Sequence, residues 1–162
     1  MRGRSAVALI ALALLSCGTE TETFEISFPS VEAFSLSETV RVYAFPVGAE
    51  EVGICRDLLA QAEIGPLSDA PIDTGRIPTC EFRDGGVKLP SLGDGLRVFV
   101  AVAEDNAGDA LFTGCTLRDV ATDASQVTIV LAPTDGYREK VENDELPFTG
   151  CSVEDRCSGA CP

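Results

Sequence analysis

The chain has 162 residues, with 26 acidic against 12 basic side chains, a formal net charge of −14, seven cysteines and neither histidine nor tryptophan. Such acidity repels nucleic acid and anionic headgroups, so neither is expected as a partner. The missing histidine removes every serine or cysteine hydrolase that relies on a histidine base.

Arg2 and Arg4 precede an apolar run from Ala6 to Leu15. This is the charged and hydrophobic start of an export signal, because a membrane span needs about 20 apolar residues. The run ends on Leu14, Leu15, Ser16 and Cys17, and that junction resembles the lipobox of bacterial lipoproteins. An ordinary secretion signal with an incidental cysteine is the competing explanation. The resemblance implies that residues 1–16 are a signal peptide cut away before Cys17. It further implies that the Cys17 sulfur carries a diacylglycerol and that its new amine is acylated. One acyl chain holds weakly at about 0.8 kcal/mol per buried CH₂, whereas several together anchor for practical purposes permanently. Gly18 after the cysteine implies the outer membrane of a Gram-negative bacterium. The implied partners are the membrane, through the lipid, and another envelope protein. Without Arg2 and Arg4 the formal charge becomes −16.

Residues 17–22 read as a short tether, and residues 23–133 as the folded domain. Phe24, Ile26 and Phe28 alternate with Glu25 and Ser27, the period of a half-buried strand. In "ETVRVYAFPV", Val40, Val42 and Ala44 share one face while Arg41, Tyr43 and Phe45 share the other. Cys55, Leu58, Leu59 and Ala62 fall at helical spacing, so a short helix is predicted to cap the sheet and to end at Gly65 and Pro66. Residues 66–79 contain Pro66, Pro71, Gly75 and Pro78 and read as a loop. "CEFRDGGVKLP" reads as a hairpin about Asp84, Gly85 and Gly86. Leu96, Val98, Val100 and Val102 mark a long strand, which turns at Asp105–Gly108 and returns through Leu111 and Phe112. Val127, Ile129 and Leu131 mark the last strand. The aromatic residues of these segments, Phe82 among them, are expected to lie in strands and pack the core.

Seven short β segments with one brief helix predict an all-β fold, a Greek-key β-sandwich with one short helix and a disulfide-rich C-terminal tail. Leu89-Pro90, Gly95, the Asp105–Gly108 turn and the strand Val127–Leu131 resemble the prealbumin-like or carboxypeptidase-regulatory β-sandwich. That resemblance implies a non-catalytic accessory or scaffold module. From Thr134 the chain turns polar, and residues 134–162 read as a tail held by disulfides rather than by packing.

Once Cys17 is set aside for lipid, Cys55, Cys80, Cys115, Cys151, Cys157 and Cys161 remain. An even number in an exported chain points to disulfides, and six allow 15 connectivities. Cys55 is expected to pair with Cys115, both in ordered segments, and Cys80 with the tail. Zinc is disfavoured by the absence of histidine and of CxxC pairs.

A glycosidase needs only two carboxylates. Asp105 with Asp109, or Asp84 with Glu81, could supply them, yet both pairs fall on predicted turns, where acids are common for local reasons. "DNAGD" at 105–109 has the oxygen-rich look of a calcium loop but fails the EF-hand pattern. No phosphate-cradling glycine motif occurs, so no catalytic residue, metal or cofactor is assigned. The expected function is a non-catalytic, membrane-anchored structural or protein-binding module. The alternative is a small-ligand, glycan or calcium binding envelope protein with a pocket near residues 66–79.

Overall fold

Strand β5 (Leu96–Glu104) is buried on both faces from Val98 to Glu104, as befits the centre of a sheet. The computed structural model describes residues 23–48, 51, 53–83, 87, 92, 94–120, 126–146 and 150–161. In chain order its elements are β1 (Thr23–Ser27), α1 (Val31–Leu36), β2 (Thr39–Pro46), α2 (Ile54–Ala62), β3 (Ile72–Asp73), β4 (Ile77–Pro78), α3 (Thr79–Arg83), β5, β6 (Ala110–Asp119), β7 (Gln126–Val130), β8 (Ala132–Pro133), α4 (Asp135–Glu142) and α5 (Val153–Ser158).

The strands form two sheets. The larger runs β3-β2-β5-β6-β8, with β4 also on β2, and its pairings are antiparallel. The smaller pairs β1 with β7 in parallel, Ile26 opposite Ile129. The alternation read along β2 holds. Val40, Val42 and Ala44, with Phe99, Ala101 and Ala103 of β5, face the small sheet and share a core with Ile26, Val127, Ile129, Ala33 of α1 and Phe82 of α3. Tyr43, Val100 and Val102 face the other way and pack on Leu58, Leu59 and Ala62 of α2 and on Leu67. The predicted helix thus caps the sheet at the residues its spacing marked.

Several expectations need correction. The described residues hold five short helices rather than one. Each of α1, α4 and α5 starts at a hydroxyl cap: Ser30 accepts from Ala33 N–H, Thr134 from Tyr137 N–H and Ser152 from Asp155 N–H. Where "CEFR" was expected to open a hairpin, the chain forms α3, and Phe82 is buried on a helix, not a strand. An alternation of four residues fits one helical turn as well as a strand, and tertiary ties decide: buried Thr79 donates its hydroxyl to Ser37 O at 2.8 Å, and Cys80 is bonded to Cys157. The turn at 84–86 lies outside the described residues, as do Cys17 and Leu89-Pro90.

Residues 66–79, read as a loop, add β3 and β4 to the edge of β2. Ile72 and Ile77 reach the core, Asp73 pairs with Arg41, and Thr74 Oγ1 accepts from Val42 N–H at 2.9 Å. Pro78, which cannot donate a backbone hydrogen bond, sits on this outer strand where none is demanded.

Six cysteines pair as Cys55–Cys115, Cys80–Cys157 and Cys151–Cys161, with Cα separations of 5.6, 5.4 and 6.4 Å. The first joins α2 to β6 and the second joins α3 to α5, so both favoured partners are found. The tail also packs. Tyr137 of α4 lies against Phe112 with ring centroids 4.7 Å apart, and α5 sits beside α1, where Arg156 pairs with Glu38 and Ser35 donates to Cys151 O.

Candidate functional site

The β5–β6 connection gathers the acidic residues that the sequence marked. A register shift between Ala103 and Glu104 leaves Glu104 opposite Ala110, and the chain then turns through Asp105–Asp109. Asp105 Oδ1 accepts from the N–H groups of Ala107 and Asp109, each at 2.9 Å, and Gly108 N–H closes the turn on Asp105 O. Gly108 has φ +89°, a conformation that glycine adopts without steric cost. This is Asx-turn chemistry, which is why aspartate stands first.

Helix α4 supplies what the sequence did not reveal. Lys140 Nζ donates to Asp105 Oδ2 and to Asp109 Oδ2, both at 2.7 Å. Burial pushes the Asp105 carboxyl up, but the Lys140 bond and the two backbone N–H groups outweigh it and hold it below its ordinary value. The same two carboxylates raise the Lys140 ammonium. One residue earlier, buried Glu104 accepts from Arg76 Nε at 2.6 Å and from Thr39 Oγ1 at 3.3 Å. Each oxygen of Asp105 is therefore engaged and the group stays ionised at neutral pH. That suits an anchor for α4 better than a proton donor, which needs a raised pKa.

Helix α4 reaches this place because Thr134 is fixed. Its hydroxyl donates toward Ala110 O (2.8 Å) and Leu111 O (3.0 Å) while capping the helix by accepting from Tyr137 N–H (3.0 Å). Lys140 then falls over the turn. No short motif announces a lysine 31 residues from its partner Asp109; the available signal was two basic residues, Arg138 and Lys140, within an acidic helix.

Two clefts flank Lys140. One of about 360 Å³ lies between the end of α2 and α4, lined by Tyr43, Ile64, Pro66, Arg76, Glu139 and Glu145 among others. The other, of about 660 Å³, lies between α1 and the tail, with Leu36, Leu111, Leu146 and the Cys151–Cys161 pair in its walls. Tyr43 is 1% exposed, and its oxygen accepts from Leu67 N–H at 3.3 Å. Burial raises its phenol, so it remains a neutral O–H donor.

Of the other carboxylate candidate, Glu81 lies on α3 and Asp84 is outside the described residues. Among the described residues no three His, Cys, Asp or Glu side chains cluster as metal ligands, and no helix is long and apolar enough to cross a membrane. Comparison with family models, curated proteins and solved structures finds no match for this chain.

Proposed function

We propose that this chain is an exported lipoprotein, anchored through Cys17 to a bacterial membrane, whose folded domain is a non-catalytic structural or protein-binding module. The observation that carries the reading is cysteine bookkeeping. Six of seven cysteines are consumed in three pairs, and the one left over stands at the Leu14-Leu15-Ser16-Cys17 junction. Disulfides belong to oxidising compartments, and a leftover cysteine at that junction has a ready use as the lipid attachment point.

Finer elements of the same proposal are the outer membrane as the site of anchoring and a Greek-key sandwich of the prealbumin-like class. The core shared between the two sheets supports the latter. Growth with radiolabelled palmitate followed by fractionation tests the anchor. The protein should carry label and sediment with membranes, and Cys17→Ser should lose both; unlabelled protein with unchanged sedimentation would refute it.

The two clefts favour a second reading, a small-ligand, glycan or calcium binding envelope protein. Thermal shift with calcium and with envelope glycans separates the two, since a ligand at 100 times its Kd adds about 2.7 kcal/mol.

A further inference from the structure

We propose that this chain depends on a thiol–disulfide isomerase of the dithiol class to reach its native bridges, and that the Cys80–Cys157 bond is the cause of that dependence. The oxidising compartment in which this happens belongs to the export reading above; the connectivity that creates the need does not rest on it.

The native bonds join Cys55 to Cys115, Cys80 to Cys157 and Cys151 to Cys161. Among these six, no cysteine is bonded to its neighbour in sequence. One bond is responsible. Cys80 lies between Cys55 and Cys115 while Cys157 lies between Cys151 and Cys161, so Cys80–Cys157 crosses both other bridges. Without it, the remaining four cysteines pair strictly in chain order. The fold shows what the crossing does: it fastens α5 beside α1, where Arg156 meets Glu38 and Ser35 donates to Cys151 O.

An unfolded chain favours other partners. Cys157 is six residues from Cys151 but 77 from Cys80, and loop closure becomes rarer with length, on the order of fiftyfold between those two loops. Cys55 and Cys80 are 25 residues apart, and in export from the N-terminus both emerge 35 residues ahead of Cys115. An oxidising disulfide, which takes two electrons and two protons from each pair it meets, therefore makes Cys55–Cys80 and Cys151–Cys157 first. Repair is exchange. The isomerase thiolate attacks Cys55 Sγ and expels the Cys80 thiolate; the Cys115 thiolate then attacks the mixed disulfide at Cys55 and releases the isomerase. A second isomerase attack, at Cys157 Sγ, expels the Cys151 thiolate, and Cys80 completes its bond to Cys157 in the same way. Each step breaks one S–S bond and forms one, so no electrons are gained or lost. The oxidant then closes Cys151–Cys161.

The test uses the full chain in detergent with Cys17→Ser, which keeps the seventh thiol out of the exchange. Reduced, urea-unfolded protein is diluted into glutathione disulfide with or without a catalytic amount of a CxxC isomerase, and bridges are mapped by mass spectrometry after thiol blocking. The isomerase should speed arrival at the three native bonds by about tenfold or more, since reshuffling is slow without it. Adding Cys80→Ser/Cys157→Ser should cut the acceleration to less than about twofold, because no crossing is left. Cys55→Ser/Cys115→Ser and Cys151→Ser/Cys161→Ser each keep one crossing and should keep the acceleration; both are measured so that a fold lost with one bridge leaves the other to decide. No acceleration of the six-cysteine chain, or equal behaviour of the crossing-free and crossing variants, overturns the proposal. Palmitate labelling of the chain with Cys17 intact is read separately, so failure of the anchor and failure of this proposal are distinguishable.

Discussion

Gly114 is the residue at which β6 meets the small sheet. A Cβ there would stand 2.9 Å from Ile129 Cγ2 and closer still to the Val130 carbonyl, so the backbones would have to part. Gly114→Ala should cost about 1–3 kcal/mol, the usual range for overpacking, read as a lower urea midpoint. Lys140 poses an electrostatic question at the same scale. With its carboxyl held below 3.8, Asp105 adds stability that is present above that pH and lost as the pH falls through its lowered value. Lys140, raised above 10.5, adds stability that is full below that pH and lost as the pH rises through its raised value. Lys140→Met should lower stability by roughly 1–3 kcal/mol at neutral pH. It should also move the onset of acid unfolding to higher pH, because burial of Asp105 then acts with less opposition. Urea midpoints between pH 3 and pH 8 would show both effects; an unchanged acid limb would mean that Asp105 owes its low pKa to the turn N–H groups alone.

Between elements, the disulfides should rank by the loop each closes, if restriction of the unfolded chain dominates. Cys55–Cys115 spans 60 residues and Cys151–Cys161 spans 10; the loop-entropy relation assigns about 4 and about 3 kcal/mol to them. The Cys55→Ser/Cys115→Ser variant should therefore melt below Cys151→Ser/Cys161→Ser, and the reverse order would show that the tail bridge supports packing beyond its loop. What could be read in advance at this scale depended on length. β2, β5, β6 and α2 run for eight to ten residues, long enough for strand and helix periods to separate. α3, β3 and β4 are two to five residues long; their states are set by Thr79, Arg41 and Thr74 bonding to distant chain, which leaves no period to detect. The parallel partnership of β1 with β7 joins positions 103 residues apart, Thr23 with Gln126, and hydropathy alternation carries no information on partners.

At the scale of the whole molecule, the tail differs most from what its composition suggested. Burying one Leu or Phe contributes about 1.5–3 kcal/mol while ordering each residue costs about 1.5 kcal/mol, so a polar segment with scattered apolar groups looks unable to pack. Yet Tyr137 covers Phe112, Thr134 is 2% exposed, and Lys140 neutralises the turn. The sequence marked the acidic half of the candidate site at Asp105 and Asp109, but its basic half arrives on a helix whose docking depends on this packing. A chain ending at Pro133 with Cys80→Ser retains the eight strands of the described residues and both sheet faces. It loses Tyr137 from Phe112, the Thr134 hydroxyl from Ala110 O and the counter-charge of Asp105. Circular dichroism melting should show a single cooperative transition with a β-type spectrum, at a lower Tm than removal of the Cys80–Cys157 bridge alone produces. The difference between those two melting temperatures measures the packing of α4, and a difference of zero would return the tail to a role of pure attachment. Loss of the β-type spectrum would mean instead that α4 is part of the fold's core, and that the domain extends to at least Glu142.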